Sequence, residues 1–267
     1  MKDWLISSAR FVWSSDRWLV LLLFISALVP RVGLAIKLDR GRHVYTDPFY
    51  EIYARNFHAG RGLVADYSYE GTGETIPLRS FRPPLFPMLW GLVYGVTGGQ
   101  YLPIRLAHAG LSALTCVLAF FIGKRLVSRE AAALGAFLVG WYPPLVWHGV
   151  NLMTEPLFMF FMVLTVCLLL EARMGDSAML WALGAGVCAG LGTLARSVLQ
   201  GFVPLAGLWL IFSPSNRKRG LAMALAFWLG FVLVMTPWVV RNWRVHRAFV
   251  PTTTDAGHGF FIGNNER

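Results

Sequence analysis

The sequence predicts an all-α polytopic membrane protein, with about seven transmembrane helices and further helices at the membrane surface in the first external loop. Hydrophobic residues make up 56% of the chain and charged residues only 14%, whereas about 25% of the residues in an ordinary soluble domain are charged. The apolar residues form successive stretches, most of them near the ~20 residues that a helix needs to cross a bilayer. These observations exclude a soluble domain as the main body of the chain.

The net charge of +10 would indicate a nucleic-acid partner in a soluble protein. In a membrane protein, basic cytoplasmic loops and anionic headgroups account for it. We therefore predict membrane lipids as partners and no nucleic acid. The cysteines lie in apolar stretches and are spaced unlike a metal site, which favours a packing role for Cys116, Cys167 and Cys188.

Seven apolar stretches follow one another along the chain. Residues 1–17 interleave apolar and basic side chains, which is typical of a cytoplasmic helix at the membrane surface rather than of a cleaved signal peptide. Residues 18–36 are the first predicted span, and 37–100 form an external loop. Six further spans are predicted within 101–240, at residues 101–123, 131–147, 156–170, 178–194, 198–212 and 221–240. Residues 241–267 are predicted to be an external loop or truncated tail.

The first external loop is predicted to contain two helices. The first is 48–59, because proline suits the first helical position and apolar residues recur on one side of the segment. Residues 60–79, rich in glycine and polar residues, are predicted to be irregular. The second helix is 85–97. At ~1.5 Å per residue it reaches ~20 Å of a ~30 Å bilayer core, so it is predicted to lie at the interface.

The orientation of the whole chain depends on this short segment 85–97. If it does not cross the membrane, the basic clusters 124–129 and 217–219 lie on the cytoplasmic side, and Arg196 is the basic residue of the short external hairpins. The positive-inside rule is then obeyed at every short loop. If the segment crosses, every later loop flips and both clusters face outward. We adopt the first arrangement.

Carboxylates from separate loops then meet at the external face. Asp47 is a candidate general base, or alternatively the N-cap of the helix that Pro48 opens. Glu155 is a second site candidate, or alternatively the cap of the span that begins at Pro156. A carboxylate and a cation at the lip of an apolar bundle are the groups with which a membrane enzyme handles a lipid phosphate.

Four arginines are candidates for binding that phosphate. Arg82, before Pro83 at the lipid boundary, is either a phosphate ligand or a snorkelling side chain. Arg196, in the hairpin between the fifth and sixth spans, is either a second ligand or an end-of-helix cation. Arg31 and Arg105 lie in or near spans, where a buried charge is costly and marks a candidate site; snorkelling is the alternative for both.

The order of these motifs resembles the core module of the GT-C glycosyltransferases, in the branch of the protein O-mannosyltransferases and the lipid A aminoarabinose transferases. The shared features are a span, a loop with an early Asp-x-x-Tyr (Asp47 to Tyr50), a basic residue before Pro-Pro, an interfacial helix, and an acidic residue after the third span. The tail beginning with Pro237 and Trp238 is also similar to bacterial members. The chain departs from this pattern at Pro48, where relatives commonly carry a second acidic residue, and at Glu155, where they carry aspartate.

The resemblance implies a multi-pass protein of the bacterial cytoplasmic (inner) membrane with its active site on the external, periplasmic face. It implies Asp47 and Glu155 as catalytic residues and a polyprenyl-phosphate sugar as donor. The residues predicted to bind this donor are Arg82, Arg196, Arg31, Arg105 and Tyr50. The expected reaction moves a hexosyl or pentosyl unit, with inversion, to a lipid, glycan or protein acceptor.

Two other classes of function remain open from the sequence. One is an accessory subunit that binds a polyprenyl lipid without catalysis. The other is a transporter, although charges are scarce in the middle of the spans, where transporters place their sites. The chain has no P-loop and no Gly-x-Gly-x-x-Gly motif before a helix, and no His-Glu-x-x-His spacing. We predict no cofactor, with a divalent metal as the alternative, its ligands drawn from Asp47, Glu155 and the external histidines, among them His258.

Overall fold

The computed structural model describes residues 2–68, 75–212, 216–255, 257, 260 and 263–264. Its helices are α1 (Lys2–Arg40), α2 (Pro48–His58), α3 (Leu85–Thr97), α4 (Leu102–Leu126), α5 (Arg129–Trp141), α6 (Pro143–His148), α7 (Glu155–Met174), α8 (Ala178–Ala195), α9 (Phe202–Phe212) and α10 (Arg217–His246). A 3₁₀ turn, Ser197–Gly201, precedes α9. Two short strands, β1 (Ala65–Ser68) and β2 (Thr75–Leu78), lie between α2 and α3. The prediction of an all-α polytopic protein is confirmed.

Among the described residues, five helices are long and apolar enough to cross a membrane: Asp16–Arg40 within α1, and α4, α7, α8 and α10. The predicted spans 131–147 and 198–212 are shorter helical segments. In the first, Tyr142 is extended (φ −66°, ψ 116°) and separates α5 from α6, because the residue before a proline is driven out of the helical region. Five of the about seven predicted spans are therefore long enough to cross the membrane as single helices.

The first of these two shorter segments nevertheless runs from one end of the bundle to the other. Arg129, the first residue of α5, pairs with Asp16 at one end. The chain after α6 reaches Arg105 at the other end, where the Val150 carbonyl accepts a hydrogen bond.

Helix α1 differs from its prediction. It runs without a break from Lys2 to Arg40, so residues 1–17 do not form a helix separate from the first span. The junction at 14–18 contains neither proline nor glycine, and such a sequence gives the helix no reason to stop.

The loop after α1 folds against the bundle as two helices and a ribbon. Helices α2 and α3 confirm the predicted helices 48–59 and 85–97, with α2 ending one residue earlier. They pack closely because of Gly91, where an added Cβ would lie 2.7 Å from the backbone oxygen of Ala54. Strands β1 and β2 pair antiparallel, with Ala65 opposite Leu78, in a segment that the sequence had predicted to be irregular.

Helices α8 and α10 pack with their backbones in contact. A Cβ at Gly186 would collide with the backbone oxygen of Phe227, and a Cβ at Gly230 with that of Leu183. Small residues of this kind let two membrane helices approach until their backbones touch. A buried core of alanine, leucine and phenylalanine side chains surrounds the contact.

Candidate active site

The site begins where α1 ends and α2 begins. Asp47 is the N-cap of α2, and its Oδ1 accepts a hydrogen bond from the Phe49 amide at 2.9 Å. Its other oxygen, Oδ2, lies 2.5 Å from Nη2 of Arg82. The capping role proposed from the sequence is therefore present, and it coexists with an ion pair to the arginine predicted to bind phosphate.

Arg82 lies between β2 and α3 with its guanidinium over the ring of Phe81, 4.6 Å from the ring centroid. Its side chain is 26% exposed. Its Nε is buried and has no hydrogen-bond partner among the described residues. A cation held against an aromatic face, with a spare N–H, retains the capacity to bind an anion.

Asp255 is the second carboxylate on Arg82, and sequence reasoning missed it. Its Oδ2 lies 2.5 Å from Nη1 of the arginine. The segment 250–255, which we call the strap, brings it there by folding back from the end of α10. The Trp238 indole donates to the Thr252 carbonyl at 2.7 Å, and the Asn242 amide donates to the Val250 carbonyl at 3.0 Å.

Glu155 opens α7 and forms a second ion pair of the site. Its Oε1 lies 2.7 Å from Nη1 of Arg196, at the end of α8. Its other oxygen, Oε2, is buried and has no hydrogen-bond partner among the described residues. An ionised oxygen buried without a donor is costly, so this atom is suited to accept a hydrogen bond from a substrate hydroxyl.

The segments that carry Asp47 and Glu155 are tied together by their neighbours. The Thr46 hydroxyl donates to the Leu152 carbonyl at 2.6 Å, and the Leu152 amide donates to the Tyr45 carbonyl at 3.2 Å. These bonds hold the loop before α2 against the hairpin before α7. The two predicted catalytic carboxylates therefore come from adjoining segments.

Tyr50 lies close enough to both ion pairs to feel their charges. It is buried, and its ring packs edge-on against Phe86 with the centroids 5.4 Å apart. Burial raises the pKa of Tyr50 to about 12, an effect that the nearby Arg82 guanidinium opposes and the carboxylates of Asp47 and Glu155 reinforce. Tyr50 thus remains a neutral hydroxyl that feels the charges of both pairs.

Arg31 is not brought to these ion pairs. It is buried in α1, where its Nη1 donates to the carbonyls of Ala27 and Gly140 at 2.7 and 2.6 Å. The carbonyl of Gly140 would normally accept from the amide four residues later, but residue 144 is a proline and has no N–H. Arg31 replaces that missing donor. Arg31 is therefore buried because it satisfies a carbonyl left unpaired at the break between α5 and α6.

Arg105 lies beneath the site and binds backbone rather than carboxylates. Its Nη2 donates to the His43 carbonyl at 2.6 Å and its Nη1 to that of Val150 at 3.2 Å. One turn further along α4, His108 donates from Nδ1 to the Asn151 carbonyl at 2.8 Å. These contacts fix the hairpin that leads to Glu155.

No group of three or more histidine, cysteine, aspartate or glutamate side chains that could hold a metal ion occurs in the part of the chain that the structure describes. His258, one of the histidines considered from the sequence, lies outside the described residues.

An apolar cavity of about 410 Å³ opens beside the Glu155–Arg196 pair. Phe158, one turn into α7, and Val198, two residues after Arg196, are part of its wall. The rest of the lining is aliphatic or aromatic, including Ile122, Met162, Val166 and Phe202. The cavity therefore has an apolar lining and begins within one helical turn of a charged pair.

The family model of the dolichyl-phosphate-mannose-protein mannosyltransferases matches residues 81–240, well over half of the chain. The chain belongs to this family. The matched range contains Arg82, Glu155 and Arg196 but begins after Asp47 and ends before Asp255. Family membership confirms the resemblance to the GT-C glycosyltransferases that the motif order indicated.

Among solved structures, this chain is similar to the oligosaccharyltransferase of Archaeoglobus fulgidus. That enzyme was crystallised tethered by a disulfide bond to an acceptor peptide containing the NVT sequon. The TM-score is 0.67 at 16% sequence identity, over 94% of this chain and 33% of the archaeal one. The likeness shows a shared fold, and the chain spans about a third of the length of the archaeal enzyme. No curated protein matches the sequence.

Proposed function

We propose that the protein is a glycosyltransferase that moves a monosaccharide from a polyprenyl-phosphate donor to a lipid, glycan or protein acceptor at the external face of the membrane. The observation that carries this proposal is the Asp47–Arg82 ion pair, 2.5 Å long, beside the Glu155–Arg196 pair at the lip of an apolar bundle. Each pair combines a group that accepts a proton with a group that binds an anion.

In this mechanism Asp47 is the general base. It takes the proton from the acceptor hydroxyl as that oxygen attacks the anomeric carbon, and a positioned base of this kind contributes ~10²- to 10⁴-fold. Glu155 orients the acceptor through its unpartnered Oε2. Because the acceptor displaces the lipid phosphate in a single step, the configuration at the anomeric carbon is inverted.

Arg82 and Arg196 bind the phosphate of the donor. The bond from the anomeric carbon to the phosphate oxygen breaks in this step, and the leaving polyprenyl phosphate gains a negative charge that the two guanidinium groups stabilise. Tyr50, a neutral and buried hydroxyl near both pairs, is suited to donate a hydrogen bond to the sugar donor.

The apolar cavity beside Glu155 and Arg196 supports a lipid-linked donor. Its lining of Phe158, Val198 and similar side chains matches an isoprenoid chain, while the phosphate remains outside the cavity at Arg196. A nucleotide sugar has no apolar chain to fill such a space.

We propose that the protein lies in the bacterial cytoplasmic membrane with the site outside. The basic residues Lys124, Arg125 and Arg129 lie at the end of the bundle opposite to Asp47, as the positive-inside rule requires for that orientation.

The test is to incubate the purified, detergent-solubilised protein with a panel of polyprenyl-phosphate monosaccharides and simple alcohol acceptors. Mass spectrometry then shows which donor loses its sugar and whether the acceptor gains it. We expect transfer from one donor class. If donors bind but none loses its sugar, the chain is an accessory lipid-binding subunit. If a labelled solute crosses sealed liposomes that contain the protein, the chain is a transporter.

A further inference from the structure

The guanidinium of Arg82 is shared by two carboxylates that come from opposite ends of the sequence. Nη2 holds Asp47 and Nη1 holds Asp255, each at 2.5 Å. With both carboxylates in place, each outer nitrogen of Arg82 already holds one anion. The cluster of two carboxylates and one guanidinium carries a net negative charge, which repels an incoming phosphate. A donor therefore binds more favourably once one carboxylate has left.

Asp255 is the more weakly held of the two. Asp47 is fixed by the Phe49 amide at the start of α2, and its side chain is 19% exposed. The side chain of Asp255 is 31% exposed. Besides Arg82, the hydroxyl of Thr253 in the same strap donates a hydrogen bond to Asp255 at 3.2 Å.

The first part of the strap, up to Thr252, is held more tightly than residues 253–255. Thr252 is buried, and its carbonyl accepts bonds from the side chains of Trp238 and Asn242 at 2.7 and 3.3 Å. Beyond it, the Thr254 amide donates to the Ser80 carbonyl at 2.9 Å, and the hydroxyl of Thr253 lies 3.3 Å from that of Ser197. Residues 253–255 can therefore leave the site by giving up a few partly buried hydrogen bonds and the ion pair to Arg82, while Thr252 stays in place.

We propose that Asp255 is an internal stand-in for the donor phosphate, which holds Arg82 in the donor-free protein and is displaced with residues 253–255 when the lipid phosphate binds. The exchange conserves charge, because a sugar-linked phosphodiester carries one negative charge and so does the aspartate. This inference rests on the proposed role of Arg82 in the glycosyl transfer. It makes donor binding a competition between an internal anion and an external one.

The binding test uses undecaprenyl phosphate as the probe, titrated into the full chain in detergent with tryptophan fluorescence as readout. Asp255→Asn should bind the probe about 10-fold more tightly, the scale of one charge-assisted hydrogen bond. Asp66→Asn, which removes an equal charge at an exposed position of β1, should leave the affinity unchanged. In an Arg82→Ala background, Asp255→Asn should bring no gain.

The outcomes separate this inference from the function on which it rests. If Arg82→Ala leaves the affinity unchanged, the proposed phosphate site is wrong. If Arg82→Ala weakens binding but Asp255→Asn does not strengthen it, the site stands and the competition is refuted. If Asp255→Asn lowers kcat at unchanged affinity, Asp255 acts in transfer itself and the stand-in role is also refuted.

A second experiment holds the strap in place with a disulfide bond instead of weakening its contact with Arg82. The neighbouring hydroxyls of Ser197 and Thr253 mark a pair whose replacement by two cysteines is suited to a disulfide. The oxidised Ser197→Cys/Thr253→Cys protein should lose probe binding by at least about 10-fold, and reduction should restore it. Each single variant, treated in the same way, is the control. Equal binding before and after reduction, with the crosslink verified by mass spectrometry, would show that the strap need not move.

Discussion

The two ends of the bundle share charge in opposite ways. At the end away from the site, one carboxylate serves two cations: Asp16 is 1% exposed, and its two oxygens bind Lys124 and Arg129. At the site, one cation serves two carboxylates, since Arg82 binds Asp47 and Asp255. Both arrangements join three segments of the chain through a single central group.

The two clusters differ in whether their polar atoms all have hydrogen-bond partners. Both oxygens of Asp16 are bound, so this cluster links α1, α4 and α5. At the site, Nε of Arg82 and Oε2 of Glu155 are buried without partners among the described residues, and the local charge of the Arg82 cluster is negative. The first arrangement stabilises the fold, and the second is suited to exchange partners with a ligand.

The largest contrast expected between the ends is their accessibility in intact cells. A cysteine replacing Val44, exposed near the site, should react with an impermeant external reagent. A cysteine replacing Ser128, the N-cap of α5 at the other end, should react only after the cells are permeabilised. Labelling of the Ser128 variant in intact cells would reverse the proposed orientation.

Asp47→Asn should have the largest effect on chemistry. Asparagine cannot take a proton, so turnover should fall by ~10²- to 10⁴-fold. The midpoint of thermal unfolding should stay near that of the wild type, because asparagine is as good an N-cap as aspartate. Asp66→Asn is the charge-matched control and should transfer normally. Full activity of the Asp47 variant would place the base elsewhere, and loss of activity through misfolding would make Asp47 structural.

Arg82→Ala should weaken binding of undecaprenyl phosphate by about 1.5–3 kcal/mol, the usual range for a hydrogen bond to a charged group. Arg82→Lys should recover only part of this, since an ammonium group lacks the planar fork of the guanidinium. Titration in detergent measures both. Full recovery in the lysine variant would mean that charge alone, without geometry, holds the phosphate.

Asp16→Asn tests the ion pairs of Asp16 with Lys124 and Arg129 at the end of the bundle away from the site. The variant should lower the free energy of unfolding by about 1–3 kcal/mol, because Lys124 and Arg129 lose a buried ionised partner. Both cations are partly exposed and regain water, which keeps the loss below that of a fully buried pair. Binding of undecaprenyl phosphate should not change. A parallel loss of lipid affinity would mean that the two ends are coupled.

The smallest expected effect is a loss of thermal stability at alkaline pH that comes from Tyr50 and Tyr53 at the site. Burial raises the pKa of Tyr50 and of Tyr53 to about 12, whereas an unfolded tyrosine titrates near ~10. Between these values the unfolded chain loses protons that the folded chain keeps, so stability should fall as the pH rises. The midpoint of thermal unfolding, measured from pH 9 to pH 12, should decline less steeply in Tyr50→Phe/Tyr53→Phe. Equal slopes would assign the decline to other groups.

Local signals in the sequence were sufficient for the elements that depend on neighbouring residues. Helix α2 follows from Pro48 and a periodic apolar face, and α3 from an apolar run too short to cross a bilayer. The break at Tyr142 could also have been predicted, because two prolines follow it. The pairing of β1 with β2 could not, since each strand is only four residues long and β2 contains Pro77, a residue that usually argues against a strand.

Residues that meet through the tertiary fold were harder to assign. Asp47, Arg82, Glu155 and Arg196 were identified because their loops leave the membrane on one face. Asp255 was missed because it reaches Arg82 across 173 positions of the chain, through a strap whose course depends on Trp238 and Asn242. Arg31 was selected for its charge alone, while its place is set by a carbonyl that Pro144 leaves unpaired.

The close approach of α8 and α10 has a consequence for the construction of chimeric enzymes. Because Gly186 and Gly230 press the two backbones together, Arg196 at the end of α8 and the strap anchors at the end of α10 share one frame. Segment 41–100 joins that frame through backbone and side chains together. The carbonyls of Arg79 and Leu63 accept from Arg241, and the hydroxyl of Ser80 bonds the side chains of Asn242, Arg241 and His246. Carbonyls are present whatever the side chains are, but the hydroxyl is not. A chimera that takes this segment from a relative should therefore keep a serine at position 80 for the segment to dock on the recipient's frame.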